Sequence, residues 1–218
     1  YNREALAGII GRYHEAGFQV AIHAQGDLGI RTTLSAYEDV IGLRSGNAMR
    51  HRIEHGGCFY PDVLKQAVEV GIHVASEPAY LSELGEGYFE AFGDDTAQML
   101  YPFASIRKAG LKVGGSSDAP VVTARPLVGL RDAVQRRTEG GRSIGSSEKL
   151  SPMEALELYT TDAAWLSHHE NIKGSLEPGK LADYVVLAEN PLEVEPAQIS
   201  EIKVLQTVVG GRVMYDAR

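Results

Sequence analysis

One stretch of the chain combines a buried strand with a polar end: Val20-Ala21-Ile22-His23-Ala24-Gln25-Gly26-Asp27. A short apolar run of this kind predicts a strand covered on both faces, as in a parallel sheet. The glycine and aspartate that follow indicate a turn into a helix, for which Asp27 can act as the cap. The stretch therefore predicts a strand that carries His23 at its carboxyl end.

Two further apolar runs close in the same way. They are Arg52-Ile53-Glu54-His55 and Val113-Gly114-Gly115-Ser116-Ser117-Asp118. His55 follows His23 by 32 positions, and Asp118 follows His55 by 63 positions. Because a βα unit of a (β/α)₈ barrel averages ~31 residues, this spacing places the two histidines on neighbouring strands and Asp118 two strands further on.

The three side chains point to metal chemistry. A barrel of parallel strands keeps its chemistry at the carboxyl ends of the strands, where His23, His55 and Asp118 would meet. Neutral imidazoles and a carboxylate suit a hydrolytic divalent metal. We therefore predict these residues as metal ligands, with Asp118 also a carrier of protons. The competing interpretation of Asp118 is a helix cap.

Helical and strand-like patterns alternate through the first 171 residues, which predicts an α/β domain with parallel strands and right-handed crossovers. The predicted strands cover residues 18–24, 49–55, 72–75 and 111–115. The predicted helices cover residues 3–16, 27–41, 61–71, 102–109, 126–138 and 152 to beyond 159. Residues 82–101 form a longer connection, rich in glycine and acidic residues.

The character of the sequence changes near residue 172. Residues 184–187 read as a strand, and two more strand-like runs flank Gly210-Gly211, a strong hairpin signal. We predict two domains, 1–171 and 172–218, the second being part of a small β domain. Only four barrel strands are present where a closed barrel needs eight, so we expect the chain to be the C-terminal half of a longer protein.

Composition excludes several classes of partner. The net charge of −8 and the absence of a Lys/Arg run argue against a nucleic-acid surface. No stretch reaches the ~18 apolar residues of a membrane span. Cys58 is the only cysteine, so no internal disulfide can form. We expect a small-molecule substrate and favour a cytoplasmic location, and we leave open an exported form and a homo-oligomer.

At these motifs the sequence resembles the amidohydrolase superfamily, and within it amidohydrolase family 3, the YtcJ-like metal-dependent hydrolases. The resemblance covers essentially the whole chain, with the family's motifs in order. The matching segments are residues 23–27 (HAQGD), 50–55 (RHRIEH), 101–103 (YPF) with 114–120 (GGSSDAP), and 174–183 (GSLEPGKLAD).

The resemblance implies strands 5–8 of a (β/α)₈ TIM-type barrel and part of a small β-sandwich domain. It implies one or two divalent ions, zinc above all, bound by His23, His55 and Asp118, with Asp118 as general base and then general acid. The family's remaining ligands would precede Tyr1, so this polypeptide alone would be inactive. Glu77 stands where many relatives have glutamine, and we consider it a candidate substrate contact. Asp27 is a candidate for orienting a ligand imidazole, although helix capping explains it as well.

The function that follows is hydrolysis of a carbon–nitrogen bond, in an amide or N-acyl compound, by a metal-activated water. A deaminase of a ring amine is the alternative on the same fold. It calls for an acid three residues after the first histidine, where this chain has Gly26. A metal-free relative that acts as a scaffold, and a half that pairs with a separate chain, also stay open.

Strand alternation makes one more prediction. His51, Ile53 and His55 would share one face, and Arg52 and Glu54 the other. If His55 points into the barrel, Arg52 and Glu54 form a structural ion pair facing the helices, and His51 packs in the barrel interior.

Overall fold

The computed structural model describes residues 1–43 and 47–217 as an α/β chain with two sheets. The first is a four-stranded parallel sheet of β1 (Ala21–Ala24), β2 (Arg52–His55), β3 (His73–Ser76) and β4 (Val113–Gly115), in that spatial order. The second is antiparallel and consists of β5 (Tyr184–Leu187), β6 (Val204–Val209) and β7 (Arg212–Asp216). The predicted strand order and the parallel direction are confirmed.

Nine helices accompany these strands in the described residues. They are α1 (Arg3–Glu15), α2 (Asp27–Ile41), α3 (Pro61–Val70), α4 (Tyr80–Glu83), α5 (Gly85–Ala97), α6 (Phe103–Lys108), α7 (Pro126–Gln135), α8 (Pro152–Tyr159) and α9 (Thr161–Leu166). Short 3₁₀ turns cover Ser146–Glu148 and Pro196–Glu201. No helix among residues 1–43 and 47–217 is long and apolar enough to cross a membrane.

The main core lies between the parallel sheet and its helices. Ile53, Val74 and Val113 come from three neighbouring strands and are fully buried. Helices α2 and α3 supply further fully buried apolar side chains: Ile30, Leu34, Val63, Ala67 and Val70. Burial of a valine, leucine or isoleucine side chain stabilises the fold by about 1.5–3 kcal/mol, so this core holds the sheet and its helices together.

One helix end follows its local sequence, and two differ from the prediction. At the start of α8, the Ser151 hydroxyl accepts from the Glu154 amide while the Glu154 carboxylate accepts from the Ser151 amide, which is a capping box. The expected continuation beyond Tyr159 is wrong, because Thr160 has φ −124° and ψ −92° and separates α8 from α9. The predicted cap at Asp27 is also wrong: Gly26 is the N-cap, and Asp27 is the first residue of α2.

The connection over residues 82–101 is largely helical. It contains the end of α4 and all of α5, in which Gly93 breaks the helix with a φ of 78°. The glycines of this segment interrupt the helical periodicity, so the sequence predicted a connection instead of a helix.

The faces of the sheet differ from the prediction made from alternation. Arg52 pairs in register with Ala21, and Glu54 pairs with His23, so Arg52 and Glu54 share the face of His23. Their ion pair is present, with Nε and Oε1 at 2.7 Å, but it lies away from the helices that cover Ile53. His51 lies toward the helices instead of the barrel interior, since its ring stacks on Tyr37 of α2.

The small sheet follows the predicted hairpin. Strands β6 and β7 pair across Gly210 and Gly211, whose φ values are 56° and 75°. Two consecutive residues with positive φ are what a tight I′-type turn requires, and glycine adopts them without strain. The domain boundary near residue 172 stays a prediction.

Candidate metal centre

The structure brings His23 and His55 into contact. His23 lies on β1 and His55 ends β2, and their ring centroids are 4.6 Å apart with the planes at 73°. The backbone of His55 has a φ of 75°, so its side chain leaves the regular alternation of the strand. His23 is exposed, whereas His55 is buried. Two imidazoles therefore meet at the carboxyl edge of the parallel sheet.

The His55 ring is held by a residue from the next strand. Its Nδ1 lies 2.9 Å from Oε2 of Glu77, which follows β3 directly and is 1% exposed. The Ser76 hydroxyl donates to the His55 carbonyl at 2.6 Å. The hydrogen bond with Glu77 raises the pKa of His55, and burial raises the pKa of Glu77. This arrangement leaves Nε2 as the imidazole atom that can bind a metal.

Asp118 is linked to His55 by Tyr80, which contacts both residues. It follows β4 in the left-handed region, with a φ of 49°, and its Oδ2 accepts from the Tyr80 hydroxyl at 2.6 Å. The Tyr80 ring is nearly parallel to that of His55, at 10°, with centroids 6.1 Å apart. Burial raises the pKa of Tyr80, so the phenol stays protonated and donates. Asp118 is thus fixed by a side-chain hydrogen bond, and its carboxylate caps no helix in the described residues.

These residues supply part of a metal coordination sphere. Within the part of the chain that the structure describes, no group of three or more His, Cys, Asp or Glu side chains could hold a metal ion on its own. The donor types nevertheless suit a divalent metal, since two imidazoles are in contact and a carboxylate is anchored at the same sheet edge. The arrangement fits a centre that takes further ligands from outside these residues.

The remaining predicted residues are Asp27 and Glu77, of which only Glu77 contacts a histidine of this centre in the described structure. Asp27 is exposed, and in the described structure its carboxylate makes no hydrogen bond with His23 or His55. It lies near the half-buried Cys58, whose pKa is raised by burial and by that carboxylate. Glu77 faces His55, and its role as a substrate contact stays a prediction.

Sequence reasoning did not single out Tyr80 and Ser76. Both lie within or just after β3, a strand that carries none of the predicted ligands. Their proximity to a strand end was the one signal available. Their hydrogen bonds to His55 and Asp118 depend on how neighbouring strands are aligned.

Comparison with known proteins places the chain in a family. The amidohydrolase family matches residues 1–215, so the chain belongs to the amidohydrolase family, as its motifs predicted. It is 28% identical to YtcJ of Bacillus subtilis over 219 residues, and 29% identical to the N-substituted formamide deformylase of Arthrobacter pascens over 217. Each alignment covers 99% of this chain but only 41% and 40% of those proteins.

A solved structure shows the same fold. An uncharacterized metal-dependent hydrolase from Pyrococcus furiosus matches with a TM-score of 0.75 at 27% identity. The match covers 88% of this chain and 38% of that one. The four-stranded parallel sheet and the small antiparallel sheet therefore correspond to part of the amidohydrolase fold, and the chain spans about two fifths of the length of the relatives it matches.

Proposed function

We propose that the protein is a metal-dependent hydrolase that cleaves a carbon–nitrogen bond in an amide or N-acyl compound. The observation that carries this proposal is the contact between His23 and His55 at the sheet edge where Asp118 is anchored. Membership of the amidohydrolase family supports hydrolysis, and the name of the Arthrobacter relative supports an N-acyl substrate. The Pyrococcus relative, named as a metal-dependent hydrolase, supports the metal.

The fold supports a larger assembly of strands. We propose that β1–β4 are strands 5–8 of a (β/α)₈ barrel and that β5–β7 belong to a small β-sandwich domain. An open parallel sheet exposes unpaired backbone at both of its edges, and four more strands would satisfy it. The rest of the metal coordination sphere would come from those strands, and zinc is the metal that the His and Asp donors favour.

His23 and His55 would hold the metal, with Asp118 as ligand or proton carrier. A divalent metal, when bound, lowers the pKa of a water from ~15.7 towards ~7 and polarises a carbonyl oxygen. Asp118 accepts the proton of the attacking water and passes it to the leaving nitrogen, acting first as base and then as acid. The Tyr80 hydroxyl donates to Oδ2 of Asp118, so Oδ1 is the carboxylate oxygen that would take up the proton.

A ring-amine deaminase is the second candidate on this fold. It would use an acid three residues after the β1 histidine to transfer protons at the ring. Gly26 occupies that position and has no side chain to do so. A scaffold without metal is the third candidate, and the anchored Asp118 and paired histidines argue against it.

The test is turnover by the native protein loaded separately with zinc, manganese and cobalt. N-formyl and N-acetyl amines form one substrate panel, and aminopurines and aminopyrimidines form the other. We expect release of an amine together with a carboxylate from the first panel. We expect Asp118→Asn to lower kcat by ~10²–10⁴-fold, the range for removing a general acid–base group. Ammonia released from the second panel alone would identify a deaminase, and no turnover of either panel would contradict the proposal.

A further inference from the structure

We propose that Glu77 is a positioning residue that directs the His55 imidazole, keeping the ring proton on Nδ1 and presenting Nε2 as the ligand atom. This inference rests on the proposed function, because it deepens the role of the same centre. It assigns a task to the end of β3, the strand of the described parallel sheet at whose end no metal ligand is predicted.

An ionised Glu77 fixes the direction of its hydrogen bond with His55. The carboxylate Oε2 lies 2.9 Å from Nδ1, and an ionised carboxylate can only accept a hydrogen bond. The proton of the neutral imidazole must then sit on Nδ1, since a lone pair there would face the lone pairs of Glu77. Free imidazole can place the proton on either nitrogen, so the partner of one nitrogen decides what the other can bind.

The backbone supports the same orientation. The Ser76 hydroxyl donates to the His55 carbonyl at 2.6 Å, and His55 adopts a φ of 75° at this point. Ser76, the last residue of β3, thus holds the His55 carbonyl, and Glu77, the next residue, holds the His55 ring. Tyr80, three residues after Glu77, lies nearly parallel to the His55 ring and anchors Asp118.

Burial separates this role from direct substrate binding. Glu77 is 1% exposed and its carboxylate faces the His55 ring, so its environment is that of a buried support for the imidazole. Carboxylates that accept from the far nitrogen of a metal-bound histidine fix its tautomer and orientation, and losing them lowers metal affinity by 10–100-fold in general.

Side-chain NMR of the metal-free native protein tests the tautomer directly. Long-range ¹H–¹⁵N correlations report which imidazole nitrogen of His55 carries the proton. We expect Nδ1–H in the wild type and in Glu77→Gln, whose amide oxygen still accepts from Nδ1. We expect Nε2–H to appear in Glu77→Leu. Should the leucine variant not fold, Glu77→Ala removes the same acceptor. An unchanged Nδ1–H signal in the variant without the acceptor would overturn the inference.

Cobalt affinity, measured by competition with a chelator, provides the second readout. We expect Glu77→Leu to weaken Co²⁺ binding by ~10–100-fold and Glu77→Gln to restore most of it. Glu148→Leu is the matched control, because that carboxylate accepts from the amide and hydroxyl of Ser105 and from no histidine among residues 1–43 and 47–217. If the tautomer follows Glu77 but the wild type binds no cobalt, the proposed function fails and the positioning role stands. If cobalt binds the wild type and the leucine variant equally, the inference fails and the proposed function stands.

Discussion

His14 and His51 form a hydrogen-bonded pair of imidazoles between α1 and the residues that precede β2, with Nδ1 and Nε2 at 2.9 Å. The other nitrogen of His51 accepts from the Val20 amide at 2.9 Å, so the proton of neutral His51 must lie on Nε2. The ring is fully buried and stacks on Tyr37 of α2. A second proton on His51 would face the Val20 amide and lose that hydrogen bond.

From this pair we expect the free energy of unfolding to fall in mild acid. Burial lowers the pKa of His51 from 6.5 to about 4, so between these values the unfolded chain binds a proton that the folded chain excludes. The stabilisation is complete above pH 6.5 and is lost as the pH falls towards 4, with a slope approaching about 1.4 kcal/mol per pH unit. Urea unfolding at pH 7, 5.5 and 4.5 measures it.

Two variants isolate the contribution of His51. His51→Gln removes the titrating group and should flatten the pH dependence of the unfolding free energy. His169→Gln changes an exposed histidine and should leave the wild-type slope in place. Equal slopes in the wild type and His51→Gln would refute this assignment.

Arg136 predicts a large loss of stability on substitution. Its guanidinium is fully buried and donates to the carbonyls of Leu100, Tyr101 and Ile144 at 2.8–2.9 Å. Burial lowers its pKa to about 10, so it remains charged at neutral pH. The Tyr101 carbonyl also accepts from the Phe103 amide, so the carbonyls of Leu100 and Ile144 are the two that depend on Arg136 in the described structure. Each buried carbonyl left without a donor costs about 1–3 kcal/mol, and we expect Arg136→Met to lower the unfolding free energy by at least about 2 kcal/mol.

The neighbouring Arg137 is the control for that measurement. It is exposed, and within the described residues its guanidinium donates only to the Gly141 carbonyl. Arg137→Met should change the unfolding free energy by less than about 0.5 kcal/mol. Similar losses for the two variants would mean that the buried hydrogen bonds of Arg136 do not carry the effect.

Gly129 of α7 allows the close approach of Tyr159 at the end of α8. A Cβ at this glycine would overlap the Tyr159 hydroxyl and lie 2.8 Å from its Cζ. Gly129→Ala should therefore destabilise the protein by about 1–3 kcal/mol, the usual cost of overpacking. Adding Tyr159→Phe should recover part of that loss in a thermal unfolding experiment. No recovery in the double variant would show that the strain arises elsewhere.

Tyr80 gives a prediction for the chemistry itself. Tyr80→Phe keeps the ring against His55 but removes the hydroxyl that anchors Asp118. We expect kcat to fall by ~10–100-fold, as for other partners that orient a reacting group, with KM unchanged. Tyr88→Phe is the control, since that hydroxyl contacts Tyr101 and not Asp118. A fall in kcat of the same size in both variants would contradict the specific role of Tyr80.

The sequence predicted those features that depend on local pattern. Apolar runs predicted the four parallel strands, and His23, His55 and Asp118 lie at or just after their carboxyl ends. Their role as metal ligands stays a prediction. The Ser151–Glu154 spacing gave the capping box of α8 because its hydrogen bonds join residues three apart. The sequence motifs predicted membership of the amidohydrolase family, and the match of that family to residues 1–215 confirms it.

Features that depend on alignment between strands could not be predicted. The positive φ of His55 ends the alternation on which the prediction for Arg52 and Glu54 relied. Glu77 faces His55 because β2 and β3 lie side by side, and no spacing rule encodes that contact. Helix α5 was not predicted from the sequence, because Gly85, Gly87 and Gly93 interrupt its apolar stripe.

The central claim is that His23 and His55 bind a divalent metal together. Elemental analysis of the native protein, purified without chelator, tests it most directly when the double variant His23→Ala/His55→Ala is analysed alongside. The account predicts zinc, iron, manganese or cobalt bound to the wild type and lost from the double variant, while both chains remain folded. A wild-type protein without any of these metals, or a double variant that retains its metal in full, would contradict it.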